Sequence, residues 1–380
     1  MPEKKRQAEE KRELSTFMSV EWGVEDRDIP GELMKVFGIK AGKSTVSRAL
    51  KLAKKRNWIL TSLTDAFDQD RLRGLREFAP ILGGLRTRLM EESEGRLAAL
   101  HIFWSGSDDK WDSRVRKFSA AAAPTLADLI DRSRHLGLSW GGTLDTCVEA
   151  LAPARAQRPK LLVTPVCGEP LGPAGRAEAS STMLTERLCQ ILGARPGPSL
   201  RGIPPMIPAG HDREQALRLF RLFRPYSEIF GSKKRGASPA LVKTVDTFLT
   251  SCGNVGDGYH AFQSQFIDAA IKRRELEKVA LGDIAGLLIA RDGLSSKEQQ
   301  RLTALRDRWT GITISDLIRI SNRAPKEGAG VIVCAVGAWK ADMVYALVTR
   351  ERLVNHLLID HTLARELARK LKLPTTRASA

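Results

Sequence analysis

The stretch VIVCAVGAWKADMVYALVTR, residues 331–350, combines an apolar run, a glycine and a segment of helical period. The first six residues are all apolar and four of them are β-branched, which predicts a short strand buried on both faces. Gly337 interrupts this run, and the apolar residues after it recur at helical spacing. The stretch therefore predicts one strand–loop–helix unit of a sheet that is covered by helices.

The same alternation continues through most of the chain after residue ~96. Further apolar runs are LAALHIFW, LGLSW, KLLVTPV, VDTFLTSC, GDIAGLLIA and NHLLID. Segments of helical period lie between them, among them TLDTCVEAL and SSTMLTERLCQIL. Strands that alternate with helices predict an α/β fold, a Rossmann-like parallel sheet with helices on both faces. In such sheets ligands bind beyond the carboxyl ends of the strands.

Glycines and polar residues follow two of these strands. Gly141, Gly142 and Thr143 lie between a strand and a helix, where glycine lets the backbone approach an anion and the helix N-terminus offers free amides. Gly337 precedes Lys340, which we place in the first turn of a helix. A lysine there opposes its own helix dipole, so a bound anion would explain it. The alternative for Gly141, Gly142 and Thr143 is a tight turn that binds nothing, and the alternative for Lys340 is an ordinary surface lysine.

Two more residues complete this candidate pocket. Asp283, in ALGDIAG, is expected just before a strand, where its carboxylate accepts hydrogen bonds from ligand hydroxyls or simply caps a turn. Asn254, in SCGNVGDG, is expected in a glycine-rich loop after a strand. Together the four loops predict a pocket for a phosphorylated, hydroxyl-rich small molecule.

The stretch GIKAGKSTVSRALKLAKKR, residues 38–56, permits two interpretations. Its GKST matches the end of a phosphate-binding P-loop, which needs another glycine five positions before Gly42. Phe37 occupies that position, and the preceding PGELMKVF has a helical pattern where a P-loop requires a strand. The P-loop interpretation therefore fails.

The second interpretation is two short helices joined by a turn. We expect Asp28 to cap the first helix, Gly38 to end it in a left-handed conformation, and Ser44 to cap the second. The inward face of the second helix is apolar and consists of Val46, Ala49, Leu50 and Ala53. Its outward face is hydroxylated and basic: Lys43, Ser44, Thr45, Ser47, Arg48, Lys51, Lys54 and Lys55.

This pattern is typical of a helix-turn-helix, in which early residues of the second helix reach base edges and basic residues hold phosphates. We assign Ser47 and Arg48 to bases, and Lys43, Lys51, Lys54 and Lys55 to phosphates. A solvated basic helix that binds nothing is the alternative.

The net charge of +17 and the pI near 9.9 favour a polyanionic partner. Residues 1–60 hold 14 Lys and Arg against 9 Asp and Glu, and residues 195–243 hold ten against three. The excess of basic residues over 195–243 either adds nonspecific attraction to DNA or is simply solvated.

Several classes of protein are disfavoured by composition. No apolar run approaches the ~18 residues of a membrane span, and the first residues contain no apolar signal core. The five cysteines lack C-x-x-C spacing and the six histidines form no cluster. We therefore expect a cytoplasmic protein with buried thiols, no metal site and no cofactor.

The chain is long enough for two or three domains. We expect a disordered charged tail over residues 1–15 and a helix-turn-helix domain over 16–62, with Phe17, Met18, Trp22, Trp58 and Ile59 in its core. Residues 63–95 contain Pro80 and a Gly-Gly pair, and we expect a helical linker that also pairs subunits. The ligand-binding α/β domain then covers 96–372, and residues 373–380 form a tail.

The order of these motifs resembles the SorC family of bacterial sugar-responsive transcriptional regulators. The likeness extends through STVSRALKLAKKR, GLSWGGTL, LLVTPVCGEP, VDTFLTSCGNVGD, LGDIAGLLIARDG and VIVCAVGAWKADMVYALVTRERLVNHLLIDHTLARELAR. It covers most of residues 16–370. The resemblance implies a DNA-binding helix-turn-helix, a phosphosugar-isomerase-like effector domain, and a homodimer or homotetramer on an operator.

By motif position, the resemblance implies that Gly142 and Thr143 hold an effector phosphate, that Lys340 neutralises it and that Asp283 binds hydroxyls. Two departures stand out. The turn before STVSR is two residues longer than is usual in the family, and Ala338 and Trp339 occupy positions where the family commonly has a glycine and a small residue.

The function predicted from the sequence is a DNA-binding regulator, not an enzyme, that binds double-stranded operator DNA and senses a phosphorylated sugar or polyol. A constitutive DNA-binding or scaffolding protein with a degenerate pocket is one alternative. A phosphosugar isomerase or deaminase-like enzyme is another, in which Asp283 and a histidine would move protons.

Overall fold

The computed structural model describes residues 3–20, 24–56, 58, 84–106, 110–152, 157–169, 179–208, 210–232, 239–255, 273–324 and 326–373. Trp22, Ile59 and most of the predicted linker over 63–95 lie outside these residues.

Three helices form the N-terminal part: α1 (Glu3–Val20), α2 (Ile29–Phe37) and α3 (Lys43–Lys55). Phe17 and Met18 of α1 are fully buried, and α1 packs against α3. Residues 3–15, which were expected to belong to a disordered tail, are therefore helical, because they form the first part of the same helix that packs through Phe17 and Met18. Trp58 is partly buried against the same core, as predicted.

Seven parallel strands form the main sheet in the order β1-β9-β8-β5-β2-β3-β4. The strands are β1 (Ala99–Phe103), β2 (His135–Leu138), β3 (Leu162–Pro165), β4 (Arg195–Pro196), β5 (Thr247–Asn254), β8 (Gly330–Ala335) and β9 (His356–Asp360). The chain moves outward in opposite directions from β2 and from β5, which are neighbours. Such a switch point opens a crevice at the carboxyl ends of the strands.

An antiparallel hairpin extends the sheet at the end of β5. It consists of β6 (Ala280–Ile284), which pairs with β5, and β7 (Leu287–Ala290). GDIAGLLIA is therefore not one continuous strand, because Ala285 and Gly286 both have positive φ and reverse the chain. Asp283 lies within β6, and the prediction that it precedes a strand is wrong.

Helices connect the strands. They are α4 (Leu85–Glu92), α5 (Trp111–Ile130), α6 (Gly142–Ala150), α7 (Ser181–Leu192), α8 (Arg213–Phe220), α9 (Arg224–Phe230), α10 (Leu241–Thr244), α11 (Arg273–Val279), α12 (Ser296–Asp307), α13 (Ile314–Arg323), α14 (Ala341–Tyr345) and α15 (His361–Lys370). A 3₁₀ turn (Ala338–Lys340) precedes α14, and a π-helical turn (Ala346–Arg350) continues it.

The core occupies both faces of the sheet. In β8, Val331, Val333 and Ala335 belong to one apolar cluster, whereas Ile332 and Cys334 belong to another. Successive strand residues point to opposite faces, so this alternation shows that helices cover both sides. The predicted α/β class is confirmed, and each of the five cysteines is buried and free, also as predicted.

Candidate functional site

The outward face of α3 carries the residues predicted to bind DNA. Val46, Ala49, Leu50 and Ala53 are buried, as predicted from their spacing. The opposite face is solvent-exposed except for the half-buried Thr45, and it consists of Lys43, Ser44, Ser47, Arg48, Lys51, Lys54 and Lys55. Seven side chains with five positive charges are thus presented on one helix.

The ends of α2 and α3 match the prediction at Gly38 and differ from it at Asp28 and Ser44. Gly38 ends α2 with φ +65°, the left-handed conformation predicted for it, and its N–H donates to Met34 O at 3.0 Å. Asp28 holds the N-cap position of α2, but its side chain makes no cap hydrogen bond. The N-cap of α3 is Gly42, so Ser44 lies inside the helix and does not cap it.

The loop after β2 approaches its neighbour β5 closely. Gly141 has φ +127°, a conformation that disfavours side chains, and its N–H donates to Ala179 O at 3.0 Å. A Cβ at Gly141 would lie 3.0 Å from Ser251 Oγ, so glycine also satisfies a tight contact. The first intrahelical bond of α6 runs from Asp145 N to Gly141 O, which leaves the amides of Gly142 and Thr143 without a helical acceptor.

Lys340 lies in the loop after β8 and is buried, with 8% of its surface exposed. Its Nζ lies 6.0 Å from the centroid of the Trp111 ring, a cation–π distance. Lys340 was predicted in the first turn of a helix. It is the last residue of the 3₁₀ turn that immediately precedes α14. The alternative of a surface lysine is excluded by this burial.

Asp283 is a buried carboxylate, with 6% of its surface exposed. Its Oδ2 accepts a hydrogen bond from Gly286 N at 2.9 Å. Burial raises the pKa of Asp283 to about 6, although the Gly286 amide and the charge of Lys340 both act to lower it.

Asn254 and Trp339 connect the ends of β5 and β8. Asn254 is the last residue of β5 and pairs with Gly282, so it does not lie in a loop as predicted. Its Nδ2 donates to Trp339 O at 2.6 Å. The indole of Trp339 covers Gly337, which has φ +100° and where a Cβ would lie 2.6 Å from the ring.

The predicted effector residues therefore lie on three adjacent strand ends. Asn254, Asp283, Gly337 and Lys340 surround the junction of β5, β6 and β8, whereas Gly141, Gly142 and Thr143 follow β2 on the other side of β5. The fold places all of them at the same edge of the sheet, which is the edge where the sequence placed the pocket.

Sequence reasoning missed the buried network around Asp360, which holds this edge together. Asp360 Oδ1 accepts from Gly337 N at 2.8 Å and Oδ2 accepts from Ser105 Oγ at 3.1 Å, so one carboxylate joins the ends of β1, β8 and β9. His361 stacks on Trp104 at 3.9 Å, and burial lowers its pKa to about 3. The available signal was the DHT sequence, residues 360–362, since aspartate is a preferred N-cap residue.

Tryptophans also gather here in a way that the sequence does not reveal. Trp339 packs on Trp111 with ring centroids 4.9 Å apart, and Trp140 packs on Trp309 at 5.8 Å. These contacts join residues far apart in the chain, so local patterns contain no trace of them. The site therefore combines a buried cation, a buried carboxylate and aromatic walls.

Two negative findings concern the described residues. None of their helices is long and apolar enough to span a bilayer. They also contain no group of three or more His, Cys, Asp or Glu side chains arranged to bind a metal ion.

Comparison with known proteins identifies structural neighbours only. No family model and no curated protein sequence matches the chain. The full-length sorbitol operon regulator SorC from Klebsiella pneumoniae aligns with a TM-score of 0.58 and 16% identity, over 95% of this chain and 98% of that chain. A DeoR family transcriptional regulator from Listeria monocytogenes aligns with a TM-score of 0.56 and 18% identity, over 75% and 99%.

A transcriptional regulator from Streptococcus pneumoniae TIGR4 gives a TM-score of 0.54 and 20% identity, over 76% of this chain and 97% of that chain. The alignment to SorC is long enough to include the N-terminal helices as well as the sheet. The chain therefore has the fold of the SorC-type and DeoR-type transcriptional regulators, and the resemblance predicted from its motifs is confirmed at the level of the fold.

Proposed function

We propose that this protein is a sequence-specific DNA-binding transcriptional regulator whose α/β domain senses a phosphorylated sugar or polyol. One observation carries the proposal: the same chain contains two parts. The first is an exposed basic helix after a glycine turn, and the second is a parallel sheet with a buried cation at its carboxyl edge. The full-length sorbitol operon regulator SorC aligned above covers 95% of this chain, which supports an assignment of both parts to one regulator. A cytoplasmic location, in which the five free thiols stay reduced, fits this role.

On the DNA side, Ser47 and Arg48 are the proposed base-reading residues. They lie in the first half of α3, the part of a recognition helix that reaches base edges. The exposed lysines at both ends, Lys43, Lys51, Lys54 and Lys55, supply phosphate contacts together with Ser44 and Thr45. A homodimer or homotetramer would present two such helices to half-sites spaced by one helical turn or a multiple of it.

On the effector side, the proposed phosphate ligands are the amides of Gly142 and Thr143 and the ammonium of Lys340. The amides begin a helix and so meet an anion at its positive end. Asp283 is the proposed acceptor for ligand hydroxyls, because a carboxylate with a pKa of about 6 is mostly ionised at pH 7. An effector that binds one quaternary arrangement more tightly than another would shift the equilibrium between them. The resulting change in operator affinity is limited by the difference between the two effector affinities.

The test of this function is a fluorescence-anisotropy titration of the DNA upstream of the protein's own gene, with random DNA of equal length as competitor. A preference of about a thousand-fold and a steep dependence on salt are expected of a specific regulator. Equal binding to both DNAs would contradict sequence-specific regulation from that site.

One observation favours a second candidate, a constitutive DNA-binding protein whose pocket is closed. The indole of Trp339 lies on Gly337, where a ligand would approach the backbone. A panel of sugar phosphates distinguishes the two: a ligand at 100 times its dissociation constant stabilises by about 2.7 kcal/mol, which a thermal melt detects. No shift with any member of the panel would support the constitutive protein.

A further inference from the structure

A second positively charged cleft lies beside the hairpin of β6 and β7. It has a volume of about 410 Å³ and is formed by the loop after β7, one face of α12 and the end of the π-helical turn. This volume is within the range of small-molecule sites. The polar groups that line it are Arg291, Asp292, Gln299, Thr303, Arg306 and Arg350.

Main-chain oxygens hold two of these arginines in place. Arg306 Nε donates to Leu288 O at 2.8 Å, and Arg350 Nη2 donates to Ala290 O at 2.6 Å. A guanidinium has five N–H donors, so each of these bonds orients the group and leaves other donors for a ligand. Side chains that are already ordered lose less conformational entropy when a ligand binds.

Helix α12 adds neutral donors on the same wall. Gln299, Thr303 and Arg306 are spaced at i, i+4 and i+7, which places them on one helix face. The opposite side of the cleft receives Arg350 from a π-helical turn, a rare element that is frequent at functional sites. The cleft therefore offers guanidinium, hydroxyl and amide groups to one ligand.

Negative charge in the cleft does not balance the positive charge. Among the lining residues only Asp292 is acidic, and it is 86% exposed on the outer side of its ion pair with Arg350. Glu351 also pairs with Arg350, at 3.0 Å. Burial lowers the pKa of Arg306, the charge of Glu351 acts against this shift, and the charge of Arg350 adds to it by a smaller amount. Arg291, Arg306 and Arg350 together exceed the charges of Asp292 and Glu351 by one, so the cleft keeps a net positive charge that suits an anion.

We propose that this cleft is a second binding site, for a small metabolite that carries two or more phosphate or carboxylate groups. Guanidinium groups bind both kinds of oxyanion in a bidentate manner. The site is separate from the one at Lys340, because the eleven residues from Lys340 to Arg350 form a helical segment about 15 Å long. It does not depend on the function proposed above.

The test is a calorimetric titration of the full-length protein with inorganic pyrophosphate and, separately, with citrate. Lys340→Ala serves as the background, so that the carboxyl-edge site is weakened and binding at the cleft can be measured apart from it. In this background we expect one binding site, weakened at least tenfold by Arg306→Gln. The matched control is Arg301→Gln, which removes the same charge from the same helix but pairs with Glu275 outside the cleft.

Thr303→Val is a second variant, which leaves the charge unchanged and alters only an exposed residue. We expect it to weaken binding about threefold. Stronger binding of pyrophosphate than of citrate would identify phosphates as the ligand class, and the reverse order would identify carboxylates.

Three results would overturn the proposal. The first is that neither anion binds in the Lys340→Ala background, and the second is that Arg306→Gln and Arg301→Gln weaken anion binding equally. The third is that Arg306→Gln lowers the affinity for DNA and leaves anion binding unchanged. The last result would mean that these arginines contact the DNA backbone.

Discussion

The two candidate sites use positive charge in opposite ways. On α3, Arg48 and the lysines are exposed and fully hydrated, so they attract phosphates at long range and are screened by salt. At the sheet edge, Lys340 is buried beside Trp111 and close enough to Asp283 to lower its pKa. Few water molecules compete there, so a single charge has a strong short-range effect. The comparison teaches that burial, not the number of charges, distinguishes the proposed effector pocket from the proposed DNA-binding surface.

The largest expected effect concerns the buried carboxylate. Asp283 has a folded-state pKa of about 6 against an ordinary value of 3.8, so its contribution to stability is fully present below about pH 4 and is lost as the pH rises through 6. The difference amounts to about 3 kcal/mol. Asp283→Asn keeps an acceptor for Gly286 N and removes the titration.

We therefore expect the free energy of unfolding of Asp283→Asn, relative to wild type, to rise by about 3 kcal/mol between pH 4 and pH 7.5. Urea denaturation at both pH values measures it. Asp292→Asn, at an exposed position, is the control and should show no such change. An identical pH dependence in Asp283→Asn and wild type would mean that Asp283 is solvated.

The second prediction tests the buried cation. Lys340→Ala should leave operator binding intact and weaken binding of a phosphorylated effector about 10- to 150-fold, because a hydrogen bond to a charged group contributes about 1.5–3 kcal/mol. Operator affinity measured with and without effector shows this as a lost response. Lys326→Ala removes an exposed charge from the same domain and should keep the response. An unchanged response in Lys340→Ala would exclude the phosphate role.

The third prediction separates the two kinds of contact on α3. Arg48→Ala should cost about 1–3 kcal/mol on the operator and relax its sequence preference, whereas Lys54→Ala should weaken specific and random DNA alike and reduce the salt slope by about one. Anisotropy titrations at two salt concentrations measure both quantities. If Arg48→Ala weakens both DNAs equally, Arg48 contacts phosphate and not bases.

The smallest expected effect compares two glycines around α2. Gly38 has φ +65°, so Gly38→Ala should destabilise the protein by about 1 kcal/mol. Gly31 lies inside α2 with open space at its Cβ position, so Gly31→Ala should stabilise by about 0.5–1 kcal/mol. Thermal melts of both variants check the opposite signs. Equal shifts would show that the turn accepts a side chain at Gly38.

Local periodicity explains why much of the fold was predictable. Val46, Ala49, Leu50 and Ala53 follow helical spacing and are all buried, and the apolar run at 331–336 forms the central strand β8 and its continuation. The positive φ of Gly38 followed from its position after a helix. In these places the sequence and the tertiary structure favour the same conformation.

The errors arose where distant contacts decide the structure. Asp283 lies in a strand because the reversal at Ala285 and Gly286 pairs β6 with β7, which an apolar run alone cannot specify. The network of Asp360 with Ser105 joins residues 255 positions apart. The contacts between the tryptophan rings also join residues that are far apart in the chain. The candidate residues lie together at the sheet edge, as their positions after the predicted strands indicated, but the contacts among them required the structure.

The aromatic walls have a practical consequence for spectroscopy. Of the seven tryptophans, five lie at the carboxyl edge of the sheet: Trp104, Trp111, Trp140, Trp309 and Trp339. Indole emission depends on the polarity and packing around the ring, so five of the seven emitters respond to changes in this one region. Trp339, 39% exposed and packed on Trp111, is the most exposed of the tryptophans that the structure describes. The molecule thus contains its own optical probe of the pocket, and ligand screening needs no attached dye.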